Sequence, residues 1–137
     1  MSLILDSSVT LAWLYSDELT YATQEVFDHV VAAGARVPSL WRLEVANSLQ
    51  GGVRRGRISE EFRDAALTDL GLLDITIDSD TDTFAWSTTL RLAERCDLTL
   101  YVAAYLELAQ RLELPLATLD QELRTAGTAL GLTLLGQ

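Results

Sequence analysis

Three carboxylates stand where an α/β chain would bring acids together. Asp6 follows the apolar run LIL at 3 to 5, Asp120 follows LPLATL at 114 to 119, and each immediately precedes a helical pattern. Glu44 falls one turn into the helix that follows a third run, RVP at 36 to 38. Each has an ordinary structural reading, because strand-to-helix joints favour acids as N-caps and a first-turn Glu complements the helix dipole. Glu44, however, projects at about 100° per residue onto one stripe with Asn47, Ser48 and Gly51, beside the apolar arc of Val45, Leu49 and Val53, which leaves room for a ligand. If the three acids converge at ~4 to 5 Å, their repulsion costs on the order of 1 to 4 kcal/mol per pair. A divalent cation removes that cost. An all-oxygen ligand set suits Mg²⁺ or Mn²⁺, ions that activate water and stabilise leaving oxygens in phosphodiester hydrolysis. The main competing chemistries lack their residues: with one His (His29) and one Cys (Cys96), no cysteine zinc cluster, all-histidine metal site or internal disulfide is available. Gly51-Gly52 precedes no Lys-Ser/Thr, which rules out a P-loop.

The elements that must position these acids are legible in outline. A chain of 137 residues is long enough for one domain with a real core and short for two, so residues 1–137 are read as a single domain. Short β-like runs at 3 to 5, 36 to 38, 75 to 77, 114 to 119 and 132 to 135 alternate with segments of 3.6-residue apolar period, including Val26, Val30 and Val31, then Leu98, Val102, Tyr105, Leu106, Ala109 and Leu112. Gly34, Gly56 and Gly131 fall at expected helix C-termini, while Ser59 and Asp120 mark helix starts. Strand and helix in alternation predict a three-layer α/β/α, Rossmann-like domain around a mainly parallel sheet, in which ligands bind at the carboxyl ends of the strands.

Three segments taken together, ILDSSVTLAWLYSDE at 4 to 18, VPSLWRLEVANSLQGGVRRGRIS at 37 to 59 and LTLYVAAYLELAQRLELPLATLDQEL at 98 to 123, resemble PIN-domain ribonucleases, specifically the VapC-type toxins of bacterial toxin-antitoxin pairs. The likeness covers nearly the whole chain and implies an Mg²⁺- or Mn²⁺-dependent endoribonuclease, homodimeric and silenced by a VapB-type antitoxin. Position by position it implies metal-site roles for Asp6, Glu44 and Asp120, with Thr118 as a polar companion two residues before the last. One departure bears on activity: Val102 stands where the family carries a further aspartate. The residues alone make it a core valine, in one apolar arc with Leu98, Leu106 and Ala109. Asp97 and Glu107 cannot replace the missing acid, since each lies five residues away and about 140° around the helix. The resemblance therefore implies either a nuclease with impaired metal binding or a catalytically inactive PIN module that retains its antitoxin partner.

Charge confines any nucleic-acid contact to one region. The chain carries ten arginines, no lysine and a formal charge of -10, the wrong overall sign for bulk attraction to RNA. Residues 36 to 63 nevertheless hold six of the arginines against three glutamates, and Arg54, Arg55 and Arg57 could grip phosphates there, or simply complement a helix C-terminus. Trp13, Leu14 and Tyr15, and the pair Leu40 and Trp41, are core candidates that could also line a groove for an antitoxin segment. The N-terminus MSLILDSSV has no basic stretch, and no run of 18 apolar residues exists, so the chain reads as soluble and cytoplasmic.

Overall fold

A computed structural model describes all residues, Met1–Gln137. Five short strands, β1 (Leu3–Leu5), β2 (Ala35–Val37), β3 (Ile75–Ile77), β4 (Leu116–Ala117) and β5 (Leu134–Leu135), form one fully parallel sheet in the order β3-β2-β1-β4-β5. Parallel strands require crossovers, which are supplied by α1 (Ser7–Leu14) and α2 (Tyr21–Ala33), then α3 (Trp41–Arg54) and α4 (Glu60–Leu70). On the return path lie α5 (Thr81–Phe84), a π-helical turn (Ala85–Thr89), α6 (Leu90–Cys96) and α7 (Leu100–Leu112), and α8 (Gln121–Ala129) joins β4 to β5. Right-handed crossovers assign α1–α4 to one face and α5–α8 to the other. The helix pairs that pack together, α1 with α2 and α3, α3 with α4, and α7 with α6 and α8, respect that division.

All three residues of β1 are fully buried, as befits a central strand covered on both faces and composed only of Leu and Ile. Leu49, Val30, Leu106, Leu108 and Leu123 close over the sheet from both layers. Trp13 and Trp41 belong to this packing. The Trp13 ring meets Phe27 edge-on at 5.2 Å and its indole donates to the Thr23 carbonyl, while Trp41 donates to Thr10 Oγ1 at 3.2 Å. Val31, expected on the core stripe of α2, faces solvent instead, because Val26 and Val30 already fill the buried edge of that helix.

Gly34 takes φ +76° directly after α2, and Gly56 and Gly131 take φ +75° and +76° just past α3 and α8, the left-handed stop that glycine makes at low cost. Gly52 has a different reason. A Cβ there would lie 2.7 Å from the Tyr15 hydroxyl and 3.2 Å from Ile58, and Tyr15 is itself held under the Arg57 guanidinium at 3.9 Å. Gly52→Ala should lower stability by roughly 1 to 3 kcal/mol through overpacking, even though alanine is the better helix former by about 1 kcal/mol. Thermal unfolding reads the sign; a higher Tm would show that Tyr15 yields freely.

Candidate functional site

Strand order reverses at β1, whose neighbours β2 and β4 are reached by connections that run in opposite directions along the sheet. A crevice forms at the carboxyl edge of such a switch point. Asp6 leaves β1 into it and Thr118 leaves β4, with the Asp6 amide still bonded to the Ala117 carbonyl at 3.0 Å.

The two strand-end aspartates turn out to do different things. Asp120 is a working N-cap: its Oδ1 accepts from the Leu123 amide at 2.9 Å. Asp6 occupies the N-cap position of α1 yet makes no capping bond. Its carboxylate is buried, and its Oδ2 accepts from the hydroxyls of Ser8 and Thr118, both at 2.7 Å. Both hydroxyls also accept backbone N–H groups from the turn after β4, Leu119 onto Ser8 at 2.9 Å and Asp120 onto Thr118 at 3.0 Å. With those acceptor sites used, the hydroxyl protons are directed at Asp6, an arrangement that favours its charged form. Burial works against it and prevails. The Asp6 carboxyl is pushed above its ordinary range by desolvation first, against the help of Ser8 and Thr118, with the charge of Asp120 adding to the rise. A buried acid withdrawn from capping and held between two donors is therefore poised for a cation or a proton.

Glu44 enters from α3, half-buried, and accepts a short hydrogen bond from the Tyr105 hydroxyl of α7. Its carboxyl is also raised, by burial first and by the Asp6 charge, with hydrogen bonds from Tyr105 and Ser7 opposing. Asp6 is thus the shared member of two repelling pairs, one with Glu44 and one with Asp120. The expected joint cage is not closed, however: no group of three or more His, Cys, Asp or Glu side chains comes together tightly enough to hold a metal ion. The donor set fits instead an ion held by one or two carboxylates with water completing its shell, which is the usual mode of Mg²⁺.

Val102 is the third residue of α7, half-buried against the core, with its amide donating to the Thr99 cap at 3.2 Å. Leu98, read as part of the same helical arc, precedes the helix. Neither neighbouring acid fills in for position 102. Asp97 ends α6 in a left-handed conformation, φ 54°, and Glu107 is buried in an ion pair with Arg111 at 2.7 Å. Of the three arginines expected on RNA, Arg54 and Arg55 are exposed and free of ion pairs, whereas Arg57 is paired with Asp17 at 3.0 Å and Glu18 at 2.8 Å. A recess of about 380 Å³ between α3, α4 and β3, lined by Trp41, Val45, Leu70, Leu73 and Ile75, contains none of the site acids.

Tyr105 escaped the sequence reading as a site residue, since its place in the apolar stripe of α7 marked it as core. The signal was the hydroxyl: a Tyr buried to 1% exposure needs a polar partner.

No family model matches the chain, and no curated protein matches it. Among solved structures it is similar to the crystal structure of PAE2754 from Pyrobaculum aerophilum, with a TM-score of 0.69 and 24% identity over 92% of this chain and 79% of that one. Likeness at that identity establishes the fold alone, a PIN-like α/β domain with the parallel sheet order 3-2-1-4-5 flanked by helices. No helix is long and apolar enough to cross a membrane.

Proposed function

We propose that the chain is a PIN-type endoribonuclease of the VapC toxin class, held at low activity by Val102. The observation that carries this reading is Asp6: a buried carboxylate at the switch point of a PIN-like sheet, withheld from capping, clamped by Ser8 and Thr118, and repelled by both Glu44 and Asp120. Asp6 and Glu44, with Asp120 beside them, would hold Mg²⁺ or Mn²⁺. Such an ion supplies Lewis-acid stabilisation of the phosphate and a more acidic water. The protein's own residues do the placing. Ser8 and Thr118 fix Asp6 and favour its ionised form, Tyr105 anchors Glu44, and the Asp120 cap ties α8 to the crevice.

In this reading RNA reaches the crevice along the exposed end of α3. Replacing Arg54 and Arg55 together by Ala should reduce the slope of log affinity against log salt by about 1 to 1.5, while Arg57→Ala, already engaged by Asp17 and Glu18, should change it less. Equal slopes in all variants would remove the patch from the proposal. The partners that complete the reading are a VapB-type antitoxin and a second copy of the chain. The apolar recess around Trp41 supports the first by offering the kind of surface an antitoxin segment covers.

Mg²⁺-dependent cleavage of single-stranded RNA, compared between this chain, Val102→Asp and Asp6→Asn, tests the function. The expected order is Val102→Asp far above the parent, with Asp6→Asn inactive; activity that survives Asp6→Asn overturns it. A second reading is favoured by the open three-acid arrangement and the missing acid: a PIN module that binds its antitoxin and no longer cleaves. Mn²⁺ titration separates the two, since the nuclease binds the ion at sub-millimolar to millimolar levels and the inactive module does not.

A further inference from the structure

We propose that Tyr105 is a positioning residue that orients the Glu44 carboxylate across the crevice, so that α7 remains coupled to the acidic site although Val102 gives it no ligand there; this rests on the metal-dependent reading above. Three observations carry it. First, Tyr105 lies three residues after Val102 and therefore on the same side of α7, one turn deeper. Its ring is 1% exposed and its hydroxyl donates to Glu44 Oε1. Second, the two residues are far apart in sequence and come from helices assigned to opposite faces of the sheet, so the bond fixes α3 against α7 above the carboxyl edge of β1. Third, the phenol hydroxyl meets only site residues, Glu44 as its acceptor and Ser7 beside it. An apolar ring would fill the same volume, whereas Tyr places a donor beside two carboxylates, Glu44 directly and Asp6 through its field.

A carboxylate with one oxygen fixed by a buried donor presents the other in a defined direction. Without that donor, only the Ser7 hydrogen bond holds Glu44 against the repulsion of the Asp6 charge. Tyr105→Phe keeps the ring and deletes only the donor, which makes it the informative change.

The experiment measures Mn²⁺ dissociation constants by calorimetry for the full chain and for Tyr105→Phe, Glu44→Gln and the double variant, with thermal unfolding of each in the metal-free state. Tyr105→Phe should weaken Mn²⁺ binding about tenfold. The double variant should bind no more weakly than Glu44→Gln alone, because Tyr105 acts through Glu44. Losses in Mn²⁺ affinity that add, or an unchanged dissociation constant in Tyr105→Phe, overturn the positioning role. If the parent binds no Mn²⁺ and Glu44→Gln changes nothing, the metal-site reading itself falls and takes this role with it. A metal-free Tm that falls to the same extent in Tyr105→Phe whether or not Glu44 is present also overturns the proposal, because the hydroxyl then supports packing rather than Glu44.

Discussion

Arg111→Met should cost about 3 to 5 kcal/mol of stability at neutral pH, because it leaves two buried carboxylates without their cation. The Arg111 guanidinium joins Glu107, one turn before it on α7, to Asp78, the residue after β3, with Nε and Nη2 on Glu107 at 2.7 and 3.0 Å and Nη1 and Nη2 on Asp78 at 3.2 and 2.7 Å. Its plane also lies 4.6 Å from the Phe84 ring, at the start of the π-helical turn. Glu107 is 3% exposed and Asp78 8%. A loss of that size approaches the whole stability of many small domains, and the urea midpoint reads it directly. The methionine preserves most of the volume, so the loss reports charge rather than a cavity. Replacing Glu107 by Met as well should recover part of it, since an apolar pair tolerates burial better than a lone ion does.

The same network gives this prediction a pH dependence of known sign. Burial alone would raise the Asp78 carboxyl, but the hydrogen bonds from Arg111 and Thr81, together with the Arg111 charge, outweigh it and hold the group below its ordinary value of 3.8. A carboxyl lowered on folding contributes stability that is present above its unfolded pKa and lost as pH falls through the folded one. In Arg111→Met the unpaired Asp78 carboxylate is instead relieved by protonation. The gap between parent and variant should therefore be widest near pH 7 and narrow towards pH 4. A gap independent of pH would mean that the ion pairs contribute only through packing.

What the sequence discloses of this fold depends on range. Periodicity and turn residues suffice for the strand at Leu3–Leu5, the glycine stops after three helices, and the caps Ser59 and Asp120, because each is decided within a few residues of itself. Asp6 and Asp120 looked alike by the same local logic, and only the fold distinguishes them. The donors that hold Asp6 include Thr118, brought alongside by the β1–β4 pairing from 112 residues away. Arg57 read as a phosphate contact because its segment holds six arginines against three glutamates, yet the α3–α4 turn sets it against Asp17 and Glu18. Glu44–Tyr105 and Asp78–Arg111 were invisible for the same reason, being pairs between elements whose spatial order no pattern states. The π-helical turn at Ala85–Thr89 also went unread, because the extra residue it accommodates interrupts the 3.6-residue period by which a helix is recognised.

Val102→Asp should raise Mg²⁺-dependent RNA cleavage by roughly 100-fold, the equivalent of about 3 kcal/mol in the barrier. Position 102 is the third residue of α7, where a carboxylate also meets the positive end of the helix dipole, a gain of about 0.3 to 1 kcal/mol. Against that stands the partial burial of the side chain against the core. The metal-free variant should therefore gain little stability or lose some, and the difference appears when a cation is added. An ion at 100 times its dissociation constant stabilises the folded state by about 2.7 kcal/mol, so at a fixed Mn²⁺ concentration the tighter-binding variant shows the larger rise in Tm. The two measurements together locate the defect. Faster cleavage with a larger Mn²⁺-induced Tm rise means that Val102 deprives the site of a ligand. Cleavage and Tm rise both equal to those of the parent would mean that Asp6, Glu44 and Asp120 suffice, and that the valine is the ordinary core residue its half-buried packing against the hydrophobic cluster describes.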